Sequence, residues 1–124
     1  MKYLFSLFLI ALFSFGNAQS VQSPSGKIVL NFKLGTNGQP FYSVNYKNKA
    51  VVLESALGIK LKDKPALDPN FDILTSKNSS FNESWKPVLG EQSSIKNHYN
   101  ELNVSLINKE TKVKMNIIFR VFDE

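Results

Sequence analysis

The sequence predicts an all-β domain, built as an antiparallel sandwich or barrel. Apolar and polar residues alternate through most of the chain, and Gly, Asn and Pro cluster between the alternating segments. After the N-terminal apolar run, no segment shows the apolar spacing of a helix of useful length. Many short strands joined by turns, without helices between them, indicate this fold class.

The N-terminus, residues 1–18, is predicted to be a secretory signal peptide. Lys2 supplies the positive charge, and the apolar run from Leu4 to Phe15 is too short to span a bilayer comfortably. The small residues that a signal peptidase needs end at Ala18, where we expect cleavage. The remaining domain, residues 19–124, is then periplasmic or secreted and without membrane contact. The alternative is an uncleaved anchor.

Composition narrows the compartment and the partners. The chain has no cysteine, so an exported protein of this sequence must fold without disulfides, which favours a bacterial periplasm. The net charge is +5, but the lysines are spread along the chain and Arg120 is the only arginine. Arginine is the preferred side chain for bidentate base and phosphate contacts, so no nucleic-acid partner is expected.

The first half of the mature chain predicts four strands, which cover Lys27–Leu34, Phe41–Tyr46, Ala50–Leu53 and Leu57–Leu61. Asn37-Gly38 is a preferred turn dipeptide and indicates a tight hairpin between the first two strands. A second short turn at residues 47–49 leads into the third. Two prolines interrupt residues 62–70, so this segment is predicted to be a loop.

The middle of the chain carries weaker strand signals. Phe71–Thr75 has the pattern of a short strand, and the polar residues 76–80 that follow are expected to be exposed. Residues 85–94 are predicted to be irregular, because a proline and a glycine break the pattern.

The last part predicts two strong strands. Tyr99–Ile107 alternates strictly, with Leu102, Val104 and Leu106 on one face, and residues 108–111 form a turn. The final strand has the longest apolar face in the chain, formed by Val113, Met115, Ile117, Phe119 and Val121. Two apolar residues on its reverse face favour cover on both sides. Because the chain ends directly after this strand, we expect one part of a larger sheet system.

Metal and nucleophile chemistry finds little support. The only histidine, His98, has no Cys, Asp or second His beside it, so a hydrogen-bonded histidine at a strand start is favoured over a zinc ligand. No Gly-x-Ser-x-Gly motif predicts a nucleophilic triad, and no Asp-x-Asp-x-Asp-Gly loop predicts calcium binding.

Carboxylates and aromatic residues leave sugar chemistry open. Glycoside hydrolysis generally needs two facing carboxylates, and Glu83, Glu91 and Glu101 are the acids near the polar segment. For each of them a surface acid is the favoured interpretation. Trp85 lies in an irregular segment, where sugar stacking and ordinary packing are equally open.

Four stretches in series resemble one known family. They are SPSGKIVLNF (23–32), WKPVLGE (85–91), NHYNEL (97–102) and FRVFD (119–123). Their order and spacing resemble the N-terminal domain of glycoside hydrolase family 97, a family of bacterial α-glucosidases and α-galactosidases. The resemblance covers essentially the whole mature chain.

This resemblance implies the first half of a galactose-mutarotase-like super-sandwich. It also implies a downstream (β/α)₈ catalytic barrel as partner in the same protein, with an oligosaccharide as a possible ligand. The family's catalytic residues and most of its calcium ligands belong downstream, so calcium is expected in the full-length enzyme and neither catalysis nor a cofactor in this chain. The parent protein would be a glycoside hydrolase of carbohydrate metabolism.

The hypothesis for the site is a polar edge that faces the barrel or the substrate, formed by Trp85, Glu91, Asn97, His98, Asn100 and Glu101. Buried polar groups must find partners, so we expect these side chains to hydrogen-bond across that contact. Two alternatives stay open: a stand-alone secreted carbohydrate-binding sandwich, and an interaction domain without sugar specificity.

Overall fold

The computed structural model describes residues 18–64, 66–91 and 93–123. Its strands are β1 Gln19–Gln22, β2 Ile28–Leu34, β3 Pro40–Tyr46, β4 Lys49–Ala56, β5 Phe71–Trp85, β6 Ile95–Asn108 and β7 Lys114–Phe122. They form a four-stranded sheet in the order β1-β2-β3-β4 and a three-stranded sheet in the order β5-β6-β7, all antiparallel. The described residues contain no helix, which confirms the all-β fold class.

The signal-peptide prediction falls on residues 1–17, which lie outside the described residues. In the part of the chain that the structure describes, no helix has the length and apolar character needed to cross a membrane.

The predicted hairpin between β2 and β3 is confirmed. Gly38 has a φ of 74° and its N–H donates to the carbonyl of Gly35 at 3.0 Å, as the Asn-Gly turn requires. The next turn, between β3 and β4, has left-handed backbone at Lys47 and Asn48, with φ values of 46° and 64°. Two consecutive positive φ angles match the right-handed twist of a tight hairpin.

The core lies between the two sheets and follows the predicted alternation. Its buried side chains come from both sheets and are Val21, Leu30, Phe32, Phe71, Leu102, Val104, Leu106 and Val121. In β6 every second side chain is buried, and Leu102, Val104 and Leu106 are fully so. Phe32 of β2 packs 5.8 Å from Phe119 of β7, ring centre to ring centre, which joins the sheets.

Backbone hydrogen bonds close one end of the sandwich, where the β2–β3 turn meets the start of β5 and the end of β6. The N–H of Asn70 donates to the carbonyl of Asn37 at 2.8 Å, and that of Phe71 to Gly38 at 3.0 Å. The N–H of Lys109 donates to the carbonyl of Asn70 at 2.7 Å. We call this the closed end.

Asn108 completes the closed end with its side chain, which is buried. Its Nδ2 donates to the carbonyl of Pro69 at 3.0 Å, and its Oδ1 accepts from the N–H groups of Glu110 and Thr111. The side chain therefore shapes the predicted 108–111 turn and holds the loop before β5, so that its burial leaves both polar ends satisfied.

The predicted strand Leu57–Leu61 is wrong. β4 continues to Ala56, and Ile59 makes only an isolated bridge to Leu67. At Gly58 an added Cβ would lie 2.6 Å from the Cβ of Asp68, so the loop folds tightly back on itself here. Alternation alone suggested a strand, but no neighbouring strand pairs with this segment among the described residues.

The short strand predicted at residues 71–75 is longer than expected, because β5 continues through polar residues to Trp85. Residues 76–80 are mostly exposed, as predicted, yet they pair with β6. On the inner side Asn78 donates from Nδ2 to the carbonyl of Ser20 in β1 at 3.1 Å. Such bonds replace apolar packing along this edge and satisfy the polar side chains.

β6 begins at Ile95, before the predicted start at Tyr99. The final strand is confirmed as β7, although Val113 precedes it and is 42% exposed. On its reverse face Ile118 is 50% and Phe122 40% exposed, so within residues 18–123 this face is only partly covered.

Candidate functional site

The β5–β6 hairpin reaches beyond the three-stranded sheet. β7 ends its pairing with β6 at Tyr99, opposite Phe122. From Asn82 opposite His98 to Trp85 opposite Ile95, β5 and β6 pair only with each other among the described residues. We call residues 82–98 the arm and residues 86–94 its tip.

All six predicted site residues lie at or next to the arm, but they occupy different faces. Residues paired across antiparallel strands share a face, and successive residues alternate. Trp85, Asn97 and Glu101 therefore lie on the outer face of the second sheet. His98 and Asn100 lie on the inner face, towards the first sheet, and Glu91 lies in the tip.

The outer face carries an aromatic cluster that spans all three strands. The rings of Phe81 and Tyr99 stack with centres 4.9 Å apart, and Phe122 packs on Tyr99 at the same distance with a tilt of 47°. The guanidinium of Arg120 lies 5.3 Å from the centre of the Tyr99 ring. Tyr99 is thereby buried, while the rings of Phe81 and Phe122 remain partly exposed.

Glu101 is engaged in an ion pair beside this cluster. The Nε of Arg120 donates to Oε2 of Glu101 at 2.9 Å, and the Glu101 side chain is only 12% exposed. This hydrogen bond is the main reason that the pKa of Arg120 is raised above its ordinary value. The arrangement holds Glu101 as a structural partner of Arg120, and it orders the outer face next to Tyr99.

On the inner face Asn100 belongs to a polar seam with β1. Its Nδ2 donates to the carbonyl of Gln22 at 2.8 Å, and its Oδ1 accepts from the hydroxyl of Ser80 at 2.6 Å. Both polar ends of the amide are used within the sandwich. The contacts of Asn100 therefore stabilise the edge where the two sheets meet.

His98 borders a shallow hollow on the inner side together with Lys96, Phe122 and Asp123. A carboxylate oxygen of Asp123 accepts from the N–H of Ser25 at 2.8 Å. Hydrogen bonds from Ser25 are the main reason that the pKa of Asp123 lies below its ordinary value, and the charge of His98 contributes less. Asp123 thus ties the end of β7 to the turn between β1 and β2.

The tip of the arm is apolar and exposed. Val88 is 98% and Leu89 90% exposed, and Trp85 at the base of the tip is 53% exposed. Large apolar side chains in this state commonly mark a surface that contacts another part of a protein.

Arg120 and Asp123 were not predicted as site residues. Arg120 is the chain's only arginine and lies in the FRVFD stretch with Asp123, which was the available signal. Their partners, Glu101 and Ser25, come from other strands or turns, so only the fold shows these contacts.

The residues present do not fit a calcium or zinc site. Within the described ranges no three His, Cys, Asp or Glu side chains come close enough to hold a metal ion. The arrangement at the arm can support hydrogen bonding and apolar contact.

Comparison with known proteins identifies the family. The sequence profile described as Glycosyl-hydrolase 97 N-terminal matches residues 21–124. Among solved structures, a glycoside hydrolase family 97 enzyme from Pseudoalteromonas sp. strain K8 in complex with acarbose is 29% identical with a TM-score of 0.78. Its E480Q form in complex with panose is also 29% identical, with a TM-score of 0.77. A β-arabinopyranosidase is 26% identical with a TM-score of 0.73.

Each of these matches covers 85% of this chain but only 16% of the other chain. The chain thus spans about one-sixth of the length of these relatives. The resemblance to family 97 and the sandwich architecture are confirmed. This chain belongs to the glycosyl-hydrolase 97 N-terminal family.

Proposed function

We propose that this chain is the non-catalytic N-terminal β-sandwich region of an exported α-glycosidase. The profile match over residues 21–124 carries the proposal, because it spans nearly the whole chain and only a small part of each related enzyme. The bond-breaking machinery then lies in the remaining length, and this region packs on a (β/α)₈ barrel and shapes it.

The substrate class follows from the relatives. The Pseudoalteromonas enzyme holds panose in one structure and acarbose in another, which supports an oligosaccharide substrate. We propose that the parent enzyme hydrolyses α-glucosidic or α-galactosidic bonds. The match to a β-arabinopyranosidase, at 26% identity, shows that substrate differs among the relatives.

Export and metal use are also part of the proposal. β1 begins at Gln19, directly after the predicted cleavage position, which supports removal of the preceding residues and a periplasmic location. Calcium is proposed for the catalytic region, where it would supply positive charge beside the reacting sugar. The residues described here supply none of its ligands.

The geometry at the arm supports a supporting role in catalysis. Glu101 is held by Arg120 rather than by a second carboxylate, whereas glycoside hydrolysis generally needs two carboxyl groups across one sugar. Asn97 and Trp85 lie on the same outer face and are available for contact. This face suits packing against another domain.

The test compares two polypeptides on p-nitrophenyl α-glucoside. We expect no turnover by residues 19–124 alone and turnover by the longer natural product of the gene. Turnover at an enzymatic rate by residues 19–124 would contradict a non-catalytic role. A natural product that ends at residue 124 and binds maltose or galactose in a calorimetric titration would favour the stand-alone carbohydrate-binding sandwich.

A further inference from the structure

We propose that the arm and the adjoining outer face of the second sheet form one docking surface, occupied by the catalytic domain of the same polypeptide. This inference rests on the proposed function and adds to it the element that makes the contact.

The apolar part of this surface is continuous from the tip to the sheet. Its exposed or half-exposed side chains are Phe81, Trp85, Val88, Leu89, Ile118 and Phe122. Phe81 and Trp85 share the outer face of β5, and Tyr99 connects Phe81 with Phe122. Aromatic residues grouped in this way commonly form the central contacts of an interface.

Polar groups border these apolar residues. Asn97 lies on the same face, one pair away from Trp85 and Ile95, and the Arg120–Glu101 ion pair lies on the other side of Tyr99. An apolar centre with a hydrogen-bonding rim is the usual anatomy of a protein–protein contact.

The arm also lacks support of its own. A two-stranded ribbon is only marginally stable in water, and residues 82–85 and 95–98 have no third strand among the described residues. Contact with another domain would bury the exposed tip and hold the ribbon in place. This explains why apolar residues occur where solvent exposure would otherwise favour polar ones.

Charge and chain length favour the catalytic domain as the occupant. The arm carries Glu83 and Glu91 against Lys86 and Lys96, so these charges balance although the chain as a whole has a net charge of +5. A balanced surface does not suit a strongly charged partner such as nucleic acid. The related enzymes have about five-sixths of their length outside the matched region, and a covalently linked domain contacts at high effective concentration.

The test measures thiol labelling in the longer natural enzyme. The chain has no cysteine of its own, so Val88→Cys reports on the tip and Leu53→Cys on β4 serves as the matched control. In this structure both positions are exposed, at 98% and 75%. After maleimide treatment, mass spectrometry of the peptides gives the rate at each position.

We expect Leu53→Cys to label rapidly and Val88→Cys to label at least about tenfold more slowly, with the difference lost in urea. Equal rates in the folded enzyme would overturn the docking surface. Protection of Val88→Cys that disappears on dilution, together with dissociation of a dimer, would overturn the choice of occupant. Leu89→Cys is the second reporter if Val88→Cys yields no folded enzyme.

Activity on p-nitrophenyl α-glucoside separates the two proposals. Turnover by the unmodified longer enzyme supports the proposed function, and turnover by each variant shows that it is folded. An active enzyme with equal labelling rates contradicts only the docking surface. A longer product without glycosidase activity contradicts the proposed function itself.

Discussion

The two ends of the β5–β6 hairpin are built from the same two strands but differ in nearly every contact. At the closed end Phe71 is fully buried and Asn108 uses both polar ends of its side chain. At the arm Val88 and Leu89 are almost fully exposed. The comparison teaches that stability and availability for contact are separated along one hairpin, which lets the arm bind without disturbing the core.

The largest expected effect is at the closed end. Phe71→Ala removes a fully buried ring between the sheets, and we expect a loss of about 3–5 kcal/mol in the free energy of unfolding. Urea unfolding of residues 19–124, followed by circular dichroism, measures it. Leu89→Ala at the tip is the control and should change stability by less than about 0.5 kcal/mol. Similar losses for both would remove the distinction between the ends.

A pair of glycine substitutions sharpens the comparison further. Gly38→Ala places a Cβ 2.6 Å from the backbone nitrogen of Phe71, in addition to a φ of 74° that suits glycine. We expect a loss of about 3 kcal/mol, combining left-handed strain with a backbone clash. Thermal unfolding at matched concentration measures it.

Gly26→Ala is the matched control for Gly38→Ala. Gly26 has nearly the same φ, 73°, but an added Cβ would meet only the end of the Gln22 side chain at 3.5 Å. A loss of about 1 kcal/mol is expected from the backbone conformation alone. If the two variants were equally stable, the contact between the β2–β3 turn and Phe71 would not matter.

Asn108→Ala tests the buried amide of the closed end. The change removes one donated and two accepted hydrogen bonds and leaves the carbonyl of Pro69 without this donor. We expect a loss of about 2 kcal/mol in the free energy of unfolding. Asn116→Ala, which loses an exposed bond to Ser105, should lose about 0.5 kcal/mol. An equal or larger loss at Asn116 would contradict this account.

The smallest effect concerns Asp123 and pH. Its folded pKa lies below the ordinary value of 3.8, mainly through hydrogen bonds from Ser25. The unfolded state therefore binds the proton more tightly, so the contribution of Asp123 is present above pH 3.8 and is lost as pH falls through the folded pKa. The stability difference between the natural chain and Asp123→Asn should shrink on acidification.

Urea titrations at several pH values measure this difference. Asp63→Asn, in the loop before β5, is the control and should keep the pH dependence of the natural chain. A difference between the natural chain and Asp123→Asn that grows towards acid would contradict the contact with Ser25.

Local patterns predicted the elements whose partners are close in sequence. The Asn37-Gly38 turn and the strict alternation around Leu102 needed no knowledge of distant residues. The polar part of β5 was not recognised as a strand, because Asn78 is satisfied by the carbonyl of Ser20, far away in the chain. Leu57–Leu61 shows the reverse error, since alternation without a neighbouring strand yields a loop.

The candidate site could be located from the sequence but not resolved into its faces. NHYNEL was interpreted as one polar edge, whereas the period of two divides it: Asn97 and Glu101 face outward, and His98 and Asn100 face inward. The aromatic cluster around Tyr99 depends on the register of three strands. That register follows from tertiary pairing rather than from any local motif.

The intact mass of the exported natural product tests the central claim most directly. We predict a single polypeptide that begins at Gln19 and is about six times as long as the region described here, in keeping with the related enzymes. A mature protein that begins at the same residue and stops at Glu124 would contradict the assignment of this sandwich to a larger glycosidase.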